Sequence, residues 1–192
     1  MQKFYDLSEK DHWRTPEYIV SMFMDYMMID LDPCAGYQTY IAENNYTIEG
    51  DGDILSHGRR LLFTNTDGLE KDWSEIGGTA YVNPPFSLKK EFVQKTVEEY
   101  ESNHIDRAIV LTPNGTEVRS WWHGNIAQWD GLKAHHDYVW FPSGRIKFVE
   151  PGGDAQDFVP FGSCFHFLGD EWPDGLFEEL DEKGEMMIPW QH

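Results

Sequence analysis

Asn83, Pro84, Pro85 and Phe86 close a short apolar run, Tyr81-Val82, and together could grip a flat molecule that carries an exocyclic amine. Pro84 and Pro85 have no backbone donors, hold φ near the extended value and keep the residue before each out of the helical region. A strand cannot continue through them, so Asn83 and Phe86 are presented at the two ends of a stiff turn. An amide oxygen and carbonyls freed from ladder pairing can accept two N–H bonds, and an aromatic face can stack. That is the edge-plus-stacking recognition expected for a base taken out of its helix. On its own the tetrapeptide is also ordinary turn chemistry between a strand and a helix. Two carboxylates at other strand ends add weight: Asp32 in Asp32-Pro33-Cys34-Ala35-Gly36, and Asp67 in Asp67-Gly68-Leu69.

Positioning these residues requires strands that end together. Met28-Ile29-Asp30-Leu31 reads as a strand running into Asp32, with Tyr37 to Asn44 helical after it. Arg60 to Thr64 is a strand leading to Asp67, and Thr79 to Val82 is the strand that delivers Asn83. Thr15-Pro16-Glu17 reads as a capped helix start, with Ile19, Met22, Phe23, Tyr26 and Met27 on one face. Ser87 can cap a second helix whose Leu88, Phe92 and Val97 share a face. Glu49 to Asp53 lacks calcium-loop spacing and reads as a solvated loop. Arg107 to Thr112 is a further strand, and Trp121-Trp122-His123 a helical stretch with core tryptophans and a structural histidine. Tyr138 to Phe141 and Ile146 to Val149 predict a hairpin about Pro142-Ser143-Gly144-Arg145. Ser163 to Leu168 reads as the last strand, followed from Gly169 by an acidic tail anchored by Trp172 and Trp190. The alternation predicts one α/β domain over residues 1–192, with a mostly parallel sheet and an antiparallel hairpin at one edge.

Composition bounds the function. With 192 residues and 40% hydrophobic content, the chain can bury a proper core. Cys34 and Cys164 are too few for a disulfide framework and show no metal spacing; His135-His136 lacks partner acids, so no metal is assigned. No signal-like or membrane-length apolar run is present, which predicts a cytoplasmic protein with no membrane partner. The net charge of -19, from 34 acidic against 15 basic residues, repels nucleic acid at low salt. Either the protein avoids nucleic acid or it works in a very salty cytoplasm; the spread of charge along the whole chain suits the second better, since the Debye length at about 1 M is only about 3 Å. Against that background Lys89 and Lys90, and Arg145 and Lys147, form two local basic patches.

The chain resembles the small phage-type DNA N6-adenine methyltransferases. The resemblance runs from Trp13-Arg14-Thr15-Pro16 through Asp32-Pro33-Cys34-Ala35, Asp67-Gly68-Leu69 and Trp73 to Asn83-Pro84-Pro85-Phe86. It continues through Trp122-His123 to Gly144-Arg145-Ile146-Lys147-Phe148 and covers roughly residues 11 to 168. It implies a Rossmann-like methyltransferase fold, S-adenosylmethionine as methyl donor, DNA as partner and a host-cell location if the source is viral. Thr15, Pro16, Asp32, Pro33, Cys34 and Ala35 would line the donor's methionine end, Asp67 would lie near its adenosine or at the pocket edge, and Asn83 to Phe86 would hold the base. Lys89, Lys90, Arg145 and Lys147 are expected to contact phosphates. The segment from about Thr47 to Arg60 is longer than the family pattern. Cytosine N4, a protein glutamine amide, and a non-catalytic nucleic-acid-binding role for the same fold remain open from the pocket residues alone.

Overall fold

A computed structural model describes residues 9–36, 41–48, 50–56, 58–126, 132, 136–150 and 159–187. Its centre is a nine-stranded sheet in the order β3-β4-β2-β1-β5-β6-β8-β7-β9. The strands are β1 (Ile29–Asp32), β2 (Ala42–Thr47), β3 (Gly52–Ser56), β4 (Arg59–Asn65), β5 (Thr79–Val82), β6 (Arg107–Pro113), β7 (His136–Pro142), β8 (Ser163–Leu168) and β9 (Gly184–Met187). The helices are α1 (Glu17–Met24), α2 (Lys89–Glu101) and α3 (Leu176–Glu182), with a π-helical turn at Arg119–Ile126.

The α/β class is as expected, but a mostly parallel sheet is not what forms. β4, β2, β1, β5 and β6 run parallel to their neighbours in that order. The pairs β3–β4, β6–β8, β7–β8 and β7–β9 are antiparallel, and their ladders are the longer ones overall. The expected 138–149 hairpin is absent. β7 has its two edges taken by β8 and β9, so Ile146 to Val149 pairs instead through a single bridge, Arg14 to Val149. The edge hairpin is β3–β4; β3 starts at Gly52 and Asp53, the last two residues of the expected solvated loop, which are exposed, and Asp53 accepts from Arg60 Nε at 2.8 Å.

Other local expectations shift for identifiable reasons. Ala42 to Asn44 is strand rather than helix; Tyr37 to Tyr40 lie outside the described residues, as does Trp190. Ser163–Leu168 is a strand but not the last, because α3 and β9 follow it and β9 joins the sheet. Thr15 does not cap α1: Pro16 occupies the cap position without a side-chain bond, and the Thr15 hydroxyl lies 2.6 Å from that of Tyr81. Ser87 sits inside a 3-10 turn, Phe86–Leu88, so Leu88 rather than Ser87 precedes α2.

Alternating side chains on buried strands fill both faces of the sheet. On one face α1 and α3 cover Tyr81, Ile109, Trp140, Phe165 and Phe167, with Phe23 wholly buried among them. On the other, α2 and the π turn cover Leu31, Trp73, Ala80, Val82, Ala108 and Val110. Trp121 is core, as expected, while His123 is exposed. Among the described residues no helix is long and apolar enough to cross a membrane.

The sheet order puts a topological switch beside β1. From β1 the chain moves outward through β2 to β4, then returns to the other side of β1 as β5. At such a switch, open α/β sheets bind ligands in a crevice outside the carboxyl ends of the strands, here those of β1 and β5. Leu31 pairs with Ala80, so Asp32 and Asn83 emerge at that crevice from adjacent strands.

Candidate active site

Asp32 ends β1 only 2% exposed and accepts the Cys34 N–H at 3.1 Å, which folds Pro33-Cys34 into a tight turn. Ala35 N–H bonds Tyr46 O and holds the turn against β2. Desolvation first, then the Asp32 charge, pushes the Cys34 thiol well above its ordinary pKa. Cys34 is therefore a protonated packing group at neutral pH rather than a nucleophile. Its sulfur accepts from the Asn83 backbone N–H, which ties the Asp32 turn to the Asn83 turn. Burial holds the Tyr81 phenol far above its usual range and neutral beside Asp32. Thr15 bonds that phenol and so anchors the start of α1 to the same crevice. Pro16 is buried behind it.

Asp67 enters this assembly through its neighbour. Its carboxylate accepts the Leu69 N–H at 2.9 Å, and Gly68 in that turn presses on the Asp32 loop. A Cβ on Gly68 would stand 1.8 Å from Pro33 O. Trp73 Nε1–H fixes the turn from behind through Gly68 O at 2.8 Å. Gly68→Ala must separate the two loops, and is expected to lower stability by about 1–3 kcal/mol. Urea unfolding checks this; a midpoint equal to wild type would mean that the loops do not meet.

The Asn83 side faces an aromatic pocket. Trp13 stacks on Phe148 with centroids 6.0 Å apart and lies 6.4 Å from Phe161, and Phe86 lies 5.4 Å from Phe161. Asn83, Pro84, Lys89, Thr112 and Ser163 are among the other lining residues. Asn83 Nδ2 points toward Trp13 O at 3.4 Å, which leaves Oδ1 as an acceptor for a ligand. Trp13 is held in place from both sides. Arg14 and Val149 exchange two backbone bonds of 2.9 Å, and Asp11 Oδ1 accepts the Ser87 N–H at 2.7 Å. Beneath the pocket, Thr112 Oγ1 lies 2.9 Å from His166 Nε2 and 3.3 Å from Cys164 Sγ, all buried. Burial raises the Cys164 thiol to about 12, so it too stays protonated.

A family model described as DNA N-6-adenine-methyltransferase (Dam) matches residues 5–160, which include both turns and most of the aromatic pocket. The chain belongs to the Dam family. Searches of curated proteins and of solved structures return no match. The Dam match ends before β8, so Ser163, Cys164 and His166 come from a part of the chain outside it.

In this Dam-family chain the structure brings Thr15, Asp32, Cys34 and Asn83 into one connected group, with Asp67 held against it through Gly68. Phe86 is 36% exposed at the pocket mouth, and Pro84 and Pro85 are half-buried. The basic residues separate. Lys90 and Lys147 are exposed, and Lys147 adjoins Phe148 of the pocket wall. Arg145 donates to Val159 O at 2.7 Å, whereas Lys89 folds back onto Phe86.

The sequence reading did not assign Trp13, Phe148, Phe161 or Thr112 to the site. Trp13 and Phe148 were within resemblance-bearing stretches; nothing local marks Phe161. Among the described residues one group with metal-ligand geometry, Asp72, Glu99 and His104, lies elsewhere. Its atoms are satisfied by the protein. His104 Nδ1 lies 2.8 Å from Glu99, which also takes the Trp73 N–H and pairs with Lys95, and Asp72 caps Ser74. We read it as a structural network locking α2 to the Trp73 turn.

Proposed function

We propose that the protein transfers a methyl group from S-adenosylmethionine to the N6 amino group of adenine in DNA, within a Rossmann-like arrangement of the β4-β2-β1-β5-β6 half of the sheet. The observation that carries this reading is the Asn83 amide, set at the rim of an aromatic pocket beside the buried Asp32 turn. Membership of the Dam family supports the same chemistry.

The residues around β1 fit the methyl donor. A carboxylate 2% exposed at a strand end suits a ligand bearing an ammonium group, and a Cβ at Gly36 would meet nothing within 4 Å, so the loop leaves room. Asp32, with Pro33 to Ala35 and the Thr15-Pro16 corner, would hold the methionine end, and Asp67 the adenosine side. When bound, the donor supplies an electrophilic methyl on sulfur. The chain's own task is to present the acceptor nitrogen.

Adenine N6 is a poor nucleophile because its lone pair is delocalised into the ring. Asn83 Oδ1 and the Pro84 carbonyl accept its two N–H bonds, letting the nitrogen pyramidalise with its lone pair free. Because Pro84 and Pro85 fix those acceptors beforehand, little reorganisation is needed at the moment of transfer. Phe86 stacks on the extruded ring, worth about 1–3 kcal/mol. Lys90, Arg145 and Lys147 contact the DNA backbone. No covalent intermediate on the protein is required: the catalysis is positional and electrostatic.

The test is product identity. Unmethylated DNA is incubated with the protein and S-adenosylmethionine in low and in multimolar KCl, and the digested nucleosides are resolved by mass spectrometry. N6-methyladenine is expected, with more product at high salt, where repulsion from the -19 charge is screened. N4-methylcytosine would keep the mechanism and change the substrate. No methylated nucleoside at any salt, from folded protein that binds the donor, would end the DNA reading.

A further inference from the structure

Lys89 does not project from the first turn of α2 as a free cation. Its ammonium lies 4.1 Å from the centre of the Phe86 ring and 5.3 Å from that of Trp121, and donates to Phe86 O at 2.9 Å. Phe86 is the residue whose face the base needs. The ammonium lies over one face of that ring, and both residues line the pocket beside Asn83 and Phe161. A base cannot stack on that face of Phe86 while the ammonium rests there.

We propose that Lys89 is a guard of the base pocket: in the DNA-free protein it occupies the stacking face of Phe86 and must leave before the target base can enter. The proposal rests on the reading of this pocket as the adenine site and gives Lys89 a role different from a phosphate contact. The contacts that hold it are strongest in a desolvated site. The half-buried ammonium, with its pKa lowered first by desolvation and next by Lys90, shows that Lys89 gives up solvent to sit there. Sitting there also keeps the aromatic pocket from standing open in water.

A pocket whose competent state is only fractionally populated binds more weakly by that fraction. Removing the guard should therefore tighten binding of a bare base. The probe is 9-methyladenine, which carries the ring and its amine but no phosphate, titrated by NMR against wild type, Lys89→Met, Lys89→Gln and Lys89→Arg. The two uncharged variants are expected to bind it about 5- to 10-fold more tightly, with Lys89→Arg near wild type because it restores a cation over the ring. The salt slope for plasmid DNA should be unchanged by Lys89→Met. Equal or weaker 9-methyladenine binding in both uncharged variants would overturn the proposal. So would a salt slope shallower by about one, the mark of a lost phosphate contact. If wild type still forms N6-methyladenine, only the guard falls; if it forms none, the adenine reading falls and takes the guard with it.

Discussion

Asn83→Ala is expected to lower kcat for methyl transfer about 10²- to 10³-fold, the scale found when one preorganised hydrogen-bonding group is removed from a transition-state site. KM for DNA should move much less, because Phe86 and the backbone contacts that bind DNA remain. Stability should also be nearly unchanged. The side chain's bond within the fold is a long one, 3.4 Å to Trp13 O, and the backbone N–H that meets Cys34 is retained. Asn83→Asp keeps an acceptor oxygen at the same reach and should keep more activity than Asn83→Ala. Single-turnover measurement with saturating donor separates these effects. A loss confined to KM would show that Asn83 binds the base without assisting its reaction.

Phe23→Ala is expected to cost about 3–5 kcal/mol, the range for truncating a wholly buried ring. Phe23 is 0% exposed and meets Tyr81, Phe165 and Phe167 at centroid distances of 6.3, 5.4 and 6.1 Å. One side chain on α1 thus clamps β5 and β8. At roughly 2–4 °C per kcal/mol for a chain of this size, Tm should fall by about 6–20 °C. Phe23→Leu should lose much less. The two variants also separate packing from site geometry. Tyr81 touches Phe23 on one side and Thr15 on the other, so loosening α1 loosens the crevice at Asp32. A loss below about 1 kcal/mol in denaturant unfolding would mean that α1 is not seated on the sheet.

What could be read in the sequence was what local chemistry determines. Thr79–Val82 is buried at every position and closed by two prolines, and Ser163–Leu168 is likewise buried throughout, so both strands stand out as apolar runs. Asn83 to Phe86 is legible for the same reason, since four adjacent residues carry the function. β2 was misread because Ala-Glu-Asn-Asn-Tyr-Thr has no strand-like pattern. Its asparagines bond backbone carbonyls of the neighbouring strands, Asn44 to Asp30 O and Asn45 to Leu62 O, and only tertiary structure supplies those partners. Ile146 to Val149 shows the opposite failure. It alternates buried Ile146 and Phe148 with exposed Lys147, as a strand does, but both edges of β7, the strand it was expected to pair with, are taken by β8 and β9. The aromatic pocket was hidden because Trp13 and Phe161 meet across most of the chain, and Lys89 was misjudged because charge alone does not reveal that a lysine has folded back onto a ring.

The placement of β8 between β6 and β7 carries a consequence for the order of assembly. Strands that follow one another as β6, β7, β8 must end up as β6-β8-β7, so β7 has no place on the sheet until β8 has filled the gap. β9, which pairs with β7, waits in turn. The bond from Thr112 to Cys164 closes a separation of 52 residues, and contacts this distant in sequence are slow to form. The parallel strands β1, β2, β4, β5 and β6 need none of these later segments in order to pair. The floor of the aromatic pocket is therefore laid only when β8 pairs with β6, which brings Cys164 and His166 to Thr112.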